Sequence, residues 1–465
     1  MGGFDPATLE LDVAAAAERL GAAIRIPTVS RGGEPPSGEV LDTLHGLLRA
    51  SFPRVHDALE IERPAGHSLL MTWRAEGAGA EEAPLLLLAH QDVVPVEPGT
   101  AGEWSHPPFE GEVADGYVWG RGALDDKARL LGILEAVEAL LAAGAEPSRP
   151  VLLAFGHDEE VGGVEGARSL AELLDARGVR PFLVLDEGSA VLDGLVPGVA
   201  PPVAAVGLGE KGYLSVELHA RGEQGHAAMP PAETAAVVLA RAIDRLAARP
   251  MEARVDGPAR GMLEALADEM RAAARIAVAG LPVTEPLLRR RLEENPRTAA
   301  LIRSTVAPTM LEGSGKENVL PASARAVVNV RIHPRDSVDG VLDHVRRAIS
   351  DSRVEVRPWG GFRSEPGALS PDRGPAWDRL AGAIRSAFPE AVLAPTLVVV
   401  ATDARHYERL GAPVYRFAPV VYRPEDLSRV HGTDERVGLE AYERLVRFYA
   451  ALMAGPGPGA LTSER

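Results

Sequence analysis

The chain has 465 residues, 46% of them apolar and 25% charged, enough to bury a large core without covalent staples and to form two or three domains at ~150 residues each. Acidic residues outnumber basic ones 66 to 49, and the formal charge of −17 argues against nucleic acid and anionic membrane surfaces as partners, since both need a basic face. There is no cysteine, which excludes disulfides, thiolate metal sites and a cysteine nucleophile.

The opening segment, MGGFDPATLELDVAAAAERL, has no basic stretch leading into an apolar one, and no run approaches ~18 consecutive apolar residues. The expectation is a cytoplasmic protein. Short apolar runs at residues 84–89 (PLLLLA), 150–155 (PVLLAF) and 182–185 (FLVL), each bounded by Gly, Pro or charges, predict strands covered on both faces. Between the first two, Leu130, Leu131, Leu134, Val137, Leu140 and Leu141 form one helical stripe over residues 126–143, with Gly144 as a stop and Lys127 and Arg129 on a solvated face. Near residue 207 the texture changes. Residues 212–222 and 324–332 alternate as half-exposed strands do, and helical patterns cover 233–247, 261–302 and 338–349. A further strand is expected at 354–356. From about 376 the first texture returns, with strands at 397–400 and 414–417 and a closing helix over 437–453. The tail from Gly455 is expected to fray. The pattern predicts an α/β domain, residues 1–206 and 361–465, with a mostly parallel mixed sheet and helices on both faces. An α+β module at 207–360 interrupts it.

The acids and histidines fall at strand ends. One apolar run ends in His90-Gln91-Asp92, another in His157-Asp158-Glu159-Glu160, a third in Asp186-Glu187, while Asp125 and Asp126 precede the long helix. Ligands gather beyond the carboxyl ends of strands in open α/β sheets. Carboxylates crowded there raise one another's pKa, a cost that one or two divalent cations remove. Without cysteine, the donor set of His and carboxylate suits Zn²⁺, with Co²⁺ or Mn²⁺ also compatible.

Segments 90–95 (HQDVVP), 120–127 (GRGALDDK), 156–163 (GHDEEVGG), 185–188 (LDEG) and 429–435 (RVHGTDE), in this order, resemble the signatures of a dinuclear zinc hydrolase family that includes aminoacylase, carboxypeptidase G, succinyl-diaminopimelate desuccinylase and carnosinase. They are most similar to the branch of carboxypeptidase S and the N-fatty-acyl-amino-acid hydrolases. The resemblance spans about residues 20–453. It implies a zinc-exopeptidase type of fold with a lid and dimerisation domain inserted, and two Zn²⁺ per chain. His90 and Asp186 would hold one ion, Glu160 and His431 the other, and Asp125 would bridge them, followed by a cis peptide. Asp92 would hydrogen-bond the far nitrogen of His90, and Glu159 would be the general base. From the inserted domain, His226 would stabilise the oxyanion, across a homodimer interface in many members, and Asn318 with Arg331 would grip the substrate carboxylate.

The implied activity is hydrolysis of an amide bond in N-acyl amino acids or short peptides bearing a free carboxylate. A dipeptidase or carboxypeptidase preference stays open, as does a metal-dependent peptide-binding protein without turnover. Each residue also has a plain structural reading. His90 and Asp92 could be satisfied polar groups at a strand end, His157 a structural histidine, His226 a solvated loop residue and Arg331 the partner of a surface acid. Residues 207–212 (GLGEKG) fit a dinucleotide fingerprint, but a strand pattern follows where a helix is required. The segment at residues 251–303 reads as a helical elaboration without an assigned role.

Overall fold

The run Leu85–His90 is buried at every position because both of its faces are covered: Leu85 and Leu87 join one core, Leu86 and Leu88 the other. The same holds for Val151–Gly156 and Leu183–Asp186, and together with Val414–Arg416 these strands form the parallel centre of a 10-stranded mixed sheet. Burying each such Leu contributes roughly 1.5–3 kcal/mol. Antiparallel neighbours, Leu69–Trp73 on one side and Val203–Glu210 on the other, make the sheet mixed. The computed structural model describes residues 8–455, and the tail past Gly455 lies outside the described residues. Among the described residues no helix is long and apolar enough to cross a membrane.

Helix Lys127–Ala142 departs from the one-sided stripe. The closing helix, Leu439–Ala454, covers its outer face so closely that a Cβ at Gly132 would lie 2.0 Å from Leu445 Cδ2. Lys127 and Arg129 are buried, at 0% and 1% exposure, not solvated. Lys127 Nζ donates to the carbonyls of Ala23 (2.8 Å) and Ile26 (2.5 Å) at the end of helix Val13–Ile24, and burial pulls its ammonium down to about 7. Arg129 donates to the Leu88 carbonyl and lies 3.3 Å from Asp186 Oδ1, a buried cation beneath the strand ends.

The chain leaves the large sheet at Glu210 and enters a second one at Gly212, so strand and not helix follows the glycines of residues 207–212, and the dinucleotide pattern fails. The second sheet is antiparallel, ordered Thr305–Glu312, Ser323–Ile332, Gly212–Arg221, Val354–Ser364. Helices Ala235–Ala247 and Val338–Ile349 cover one face, burying Leu214, Val216, Leu218, Val328 and Val330. Ser337 caps the second helix by accepting from Gly340 N. The sheet extends to Ser364, past the expected end of the insertion. The elaboration is four helices, not one long pattern: Gly257–Ala265, Ala272–Ala279, Leu281–Glu293 and Pro296–Ile302. The first sits on the large sheet, where Leu266 packs with Val203, Ala205 and Ala394.

Candidate metal centre

The register of the parallel strands sets His90 opposite Gly156, so the ends of Leu85–His90 and Val151–Gly156 deliver His90 and the segment 157–160 to one rim. Asp125 arrives from the turn before helix Lys127–Ala142, with a cis peptide to Asp126. His431 arrives from the distant loop ahead of the closing helix. The arrangement centres on Asp125. Its Oδ1 lies 2.8 Å from His90 Nε2 and its Oδ2 lies 3.0 Å from His431 Nε2. A second carboxylate flanks each imidazole: Glu187 Oε1 is 3.4 Å from His90 Nε2, and Glu160 Oε1 is 3.6 Å from His431 Nε2. The result is two His–Glu pairs on either side of one shared carboxylate.

Asp92 orients this arrangement. His90 Nδ1 is 2.9 Å from the Asp92 carbonyl oxygen and 3.3 Å from its carboxylate. The Asp92 carboxylate also accepts from the backbone amides of Glu159 and Glu160, each at 3.1 Å, and from Ser30 Oγ at 2.6 Å. One buried aspartate thus aligns a histidine and the two adjacent glutamates. With Nδ1–H donating to Asp92, Nε2 of a neutral His90 presents a lone pair to two carboxylates, an arrangement that needs a cation between them or a proton on the ring.

The electrostatics agree with a cation-demanding site. Burial opposes charging of His90, yet Asp125, Asp92 and Glu187 outweigh it and hold the ring well above its usual range. The hydrogen bond to Asp125 and the nearby Glu160 carboxylate push His431 up to about 10. Burial would raise Asp125, but the two histidines pull it well below the usual carboxylate range. Burial, reinforced by neighbouring carboxylates, lifts Glu159 well above normal. Glu160 Oε1 is buried without a hydrogen-bond partner. Sets of His90 with Glu159 and Glu187, and of His90 with Asp125 and Glu160, place their donor atoms within 4.8 Å of one another. Oxygen and imidazole donors at this spacing fit divalent zinc, cobalt or manganese.

Asp186 departs from its expected role. Its Oδ2 accepts from Ala404 N at 2.7 Å and its Oδ1 faces Arg129 at 3.3 Å. Glu187 is the acid that reaches His90, because successive side chains at a strand end point to opposite sides. Two adjacent acids give no signal in the sequence as to which one turns inward. Glu187→Gln is expected to weaken metal binding by about 10–100-fold, the range for removing a group that holds or orients a ligand. Asp186→Asn is expected to keep its metal and lower stability by about 3 kcal/mol through the loss of a buried ion pair. Metal titration and thermal melts of the two variants separate these outcomes.

The remaining expected residues lie apart from the cluster. His226 and Asn318 are neighbours on an exposed two-stranded ribbon, Gly225–His226 against Val319–Leu320, where Ala227 N donates to the Asn318 carbonyl at 3.1 Å. Among the described residues neither hydrogen-bonds to the clustered acids. Arg331 lies on the sheet face opposite the helices, its guanidinium carbon 4.8 Å from the Tyr213 ring centre, without a carboxylate partner among the described residues. His157 is buried against Ser68 Oγ at 2.8 Å, a structural contact.

A model of peptidase family M20/M25/M40 matches residues 86–455. The N-fatty-acyl-amino acid synthase/hydrolase PM20D1 of Xenopus tropicalis is 40% identical over 438 residues, covering 94% of this chain and 85% of that protein. Carboxypeptidase S of Saccharomyces cerevisiae is 31% identical over 484 residues, covering 93% and 82%. In fold, an M20 family metallo-carboxypeptidase from Sulfolobus solfataricus superposes with a TM-score of 0.68 at 18% identity, over 94% of this chain and 98% of that one.

Proposed function

The chain belongs to peptidase family M20/M25/M40, and on that premise we propose that it hydrolyses the amide bond of N-acyl amino acids at a pair of divalent ions, zinc in the first instance. The observation that carries the reading is Asp125, whose two oxygens each face a different histidine. His90 with Glu187 and His431 with Glu160 would hold one ion each, and Asp125 would bridge them. Ions held there would polarise the scissile carbonyl and acidify a water.

The chain's own groups supply the rest. Glu159 takes a proton from the water as its oxygen adds to the carbonyl carbon, and gives that proton to the leaving nitrogen as the C–N bond breaks. Asp92 keeps His90 and the backbone of Glu159 in register. Arg331, supported by Asn318, binds the carboxylate of the substrate. An uncommitted guanidinium suits that anion in a chain of net negative charge. His226 donates to the carbonyl oxygen as charge develops there. Its exposure on a ribbon away from the cluster fits delivery from a second copy, so the reading includes a homodimer, together with a cytoplasmic setting.

The acyl preference follows relatives named N-fatty-acyl-amino acid synthase/hydrolase. Short peptides are the alternative, favoured by the likeness to carboxypeptidase S. Assaying the metal-loaded protein on acyl-amino acids and dipeptides of matched side chain tests this; turnover of peptides alone would overturn the acyl preference. Binding of both classes without product would mark a binding protein instead. Arg331→Ala is expected to raise KM for carboxylate-bearing substrates about 10–100-fold, the equivalent of one charged hydrogen-bonded contact. Its kcat should change little. An unchanged KM removes the clamp.

A further inference from the structure

Two ligand loops more than 300 residues apart in sequence meet at a buried carboxylate that takes no part in the chemistry above. Glu435 is 0% exposed. Its Oε1 accepts from three backbone amides, Gly122 (3.0 Å), Leu124 (2.8 Å) and Asp125 (3.1 Å). Its Oε2 accepts from Arg121 Nη1 at 2.5 Å. Convergence of three N–H groups on one oxygen requires a tightly curled backbone, and Gly120 and Gly122 supply it at φ 137° and 92°.

Arg121 carries the link onward. Its Nη2 donates to the carbonyls of His431 (3.0 Å) and Gly432 (3.3 Å). It is 2% exposed and rests against Trp104, 5.5 Å from the ring centre. His431 needs such a hold, because it sits in the left-handed region at φ 59°, a conformation that costs a non-glycine residue about 1 kcal/mol or more. A single pair of buried side chains thus grips the backbone of Asp125 and the backbone of His431 at once.

We propose that Glu435 and Arg121 are positioning residues that fix the separation of Asp125 from His431, and so the affinity of the ion shared by His431 and Glu160. The inference rests on the two-ion reading of the site. A role confined to folding would lower stability and leave metal affinity in the folded protein unchanged. The positioning role moves the affinity itself.

Glu435→Gln tests the distinction. The amide keeps an oxygen for the three N–H groups but turns an NH₂ toward Arg121, donor against donor, so the guanidinium withdraws from the His431 carbonyl. Titration of metal-free protein with Co²⁺, followed by visible absorption of the bound ion and by metal per chain, reads out each site. The unsubstituted protein should take up two ions. The folded variant should bind the second about 10–100-fold more weakly, the range for groups that orient ligands, and its absorption should change shape. Arg121→Lys keeps a cation beside Glu435 and loses the forked contact to residues 431 and 432; it should show the same weakening, and it decides the matter if Glu435→Gln does not fold. Titration curves of folded variants that coincide with the unsubstituted protein's overturn the positioning role. An unsubstituted protein that binds no Co²⁺ overturns the metal centre, and this inference with it.

Discussion

Glu159→Gln retains its metal and its fold and loses about 10³-fold in kcat. General-base assistance contributes about 10²–10⁴, so the loss corresponds to about 4 kcal/mol of transition-state stabilisation. The substitution is close to isosteric and leaves the backbone amide of residue 159 on Asp92, which keeps the loop in place. What disappears is the ability to accept a proton. Steady-state kinetics on an N-acyl amino acid, with metal per chain measured on the same preparation, checks the expectation. A metal-replete variant with activity near that of the unsubstituted protein removes Glu159 from the reaction.

Asp125→Asn is expected to have the larger effect, loss of both metal and activity. The carboxylate faces His90 with one oxygen and His431 with the other. An amide can offer an acceptor to only one side and sets an NH₂ against the other, so both His–Glu pairs lose their common charge. Ligand linkage gives a measurement independent of turnover. An ion at 100 times its Kd stabilises the folded protein by about 2.7 kcal/mol, and the unsubstituted protein should melt higher when Zn²⁺ is added. Asp125→Asn should show little of that shift and no detectable hydrolysis. A variant stabilised by Zn²⁺ as much as the unsubstituted protein would remove Asp125 from the centre of the site.

The central strands were legible because burial on both faces leaves an uninterrupted apolar signature, as in residues 84–89. The rim of acids was legible for the same reason, since each run led within a few residues into histidine or carboxylate side chains. Strand Thr305–Glu312 was not, because Pro308 at its bulge reads as a break and the strand lies at a sheet edge. Strand Val354–Ser364 was seen only at its start, since Pro358, Gly360 and Gly361 resemble a loop. Val399 and Val400 continue an apolar run yet lie past the end of strand Val392–Val398 and are exposed.

The site shows a similar division. The family resemblance, not residue type alone, pointed to His90, Asp125, Glu160 and His431, whose side chains lie next to one another. The choice between Asp186 and Glu187 turned on which way each side chain points, and composition is silent on that. Arg129 and Lys127 read as surface residues because the helix that buries Arg129, Leu439–Ala454, is encoded about 300 residues later. Long-range partners of this kind leave no local trace in the sequence.

Metal content per chain tests the account most directly. Protein depleted with a chelator, refilled with Zn²⁺ and freed of excess ion should hold two ions per chain, and amide hydrolysis should vanish on depletion and return on refilling. Depleted protein that hydrolyses acyl-amino acids at full rate, or refilled protein that holds no ion, would contradict it.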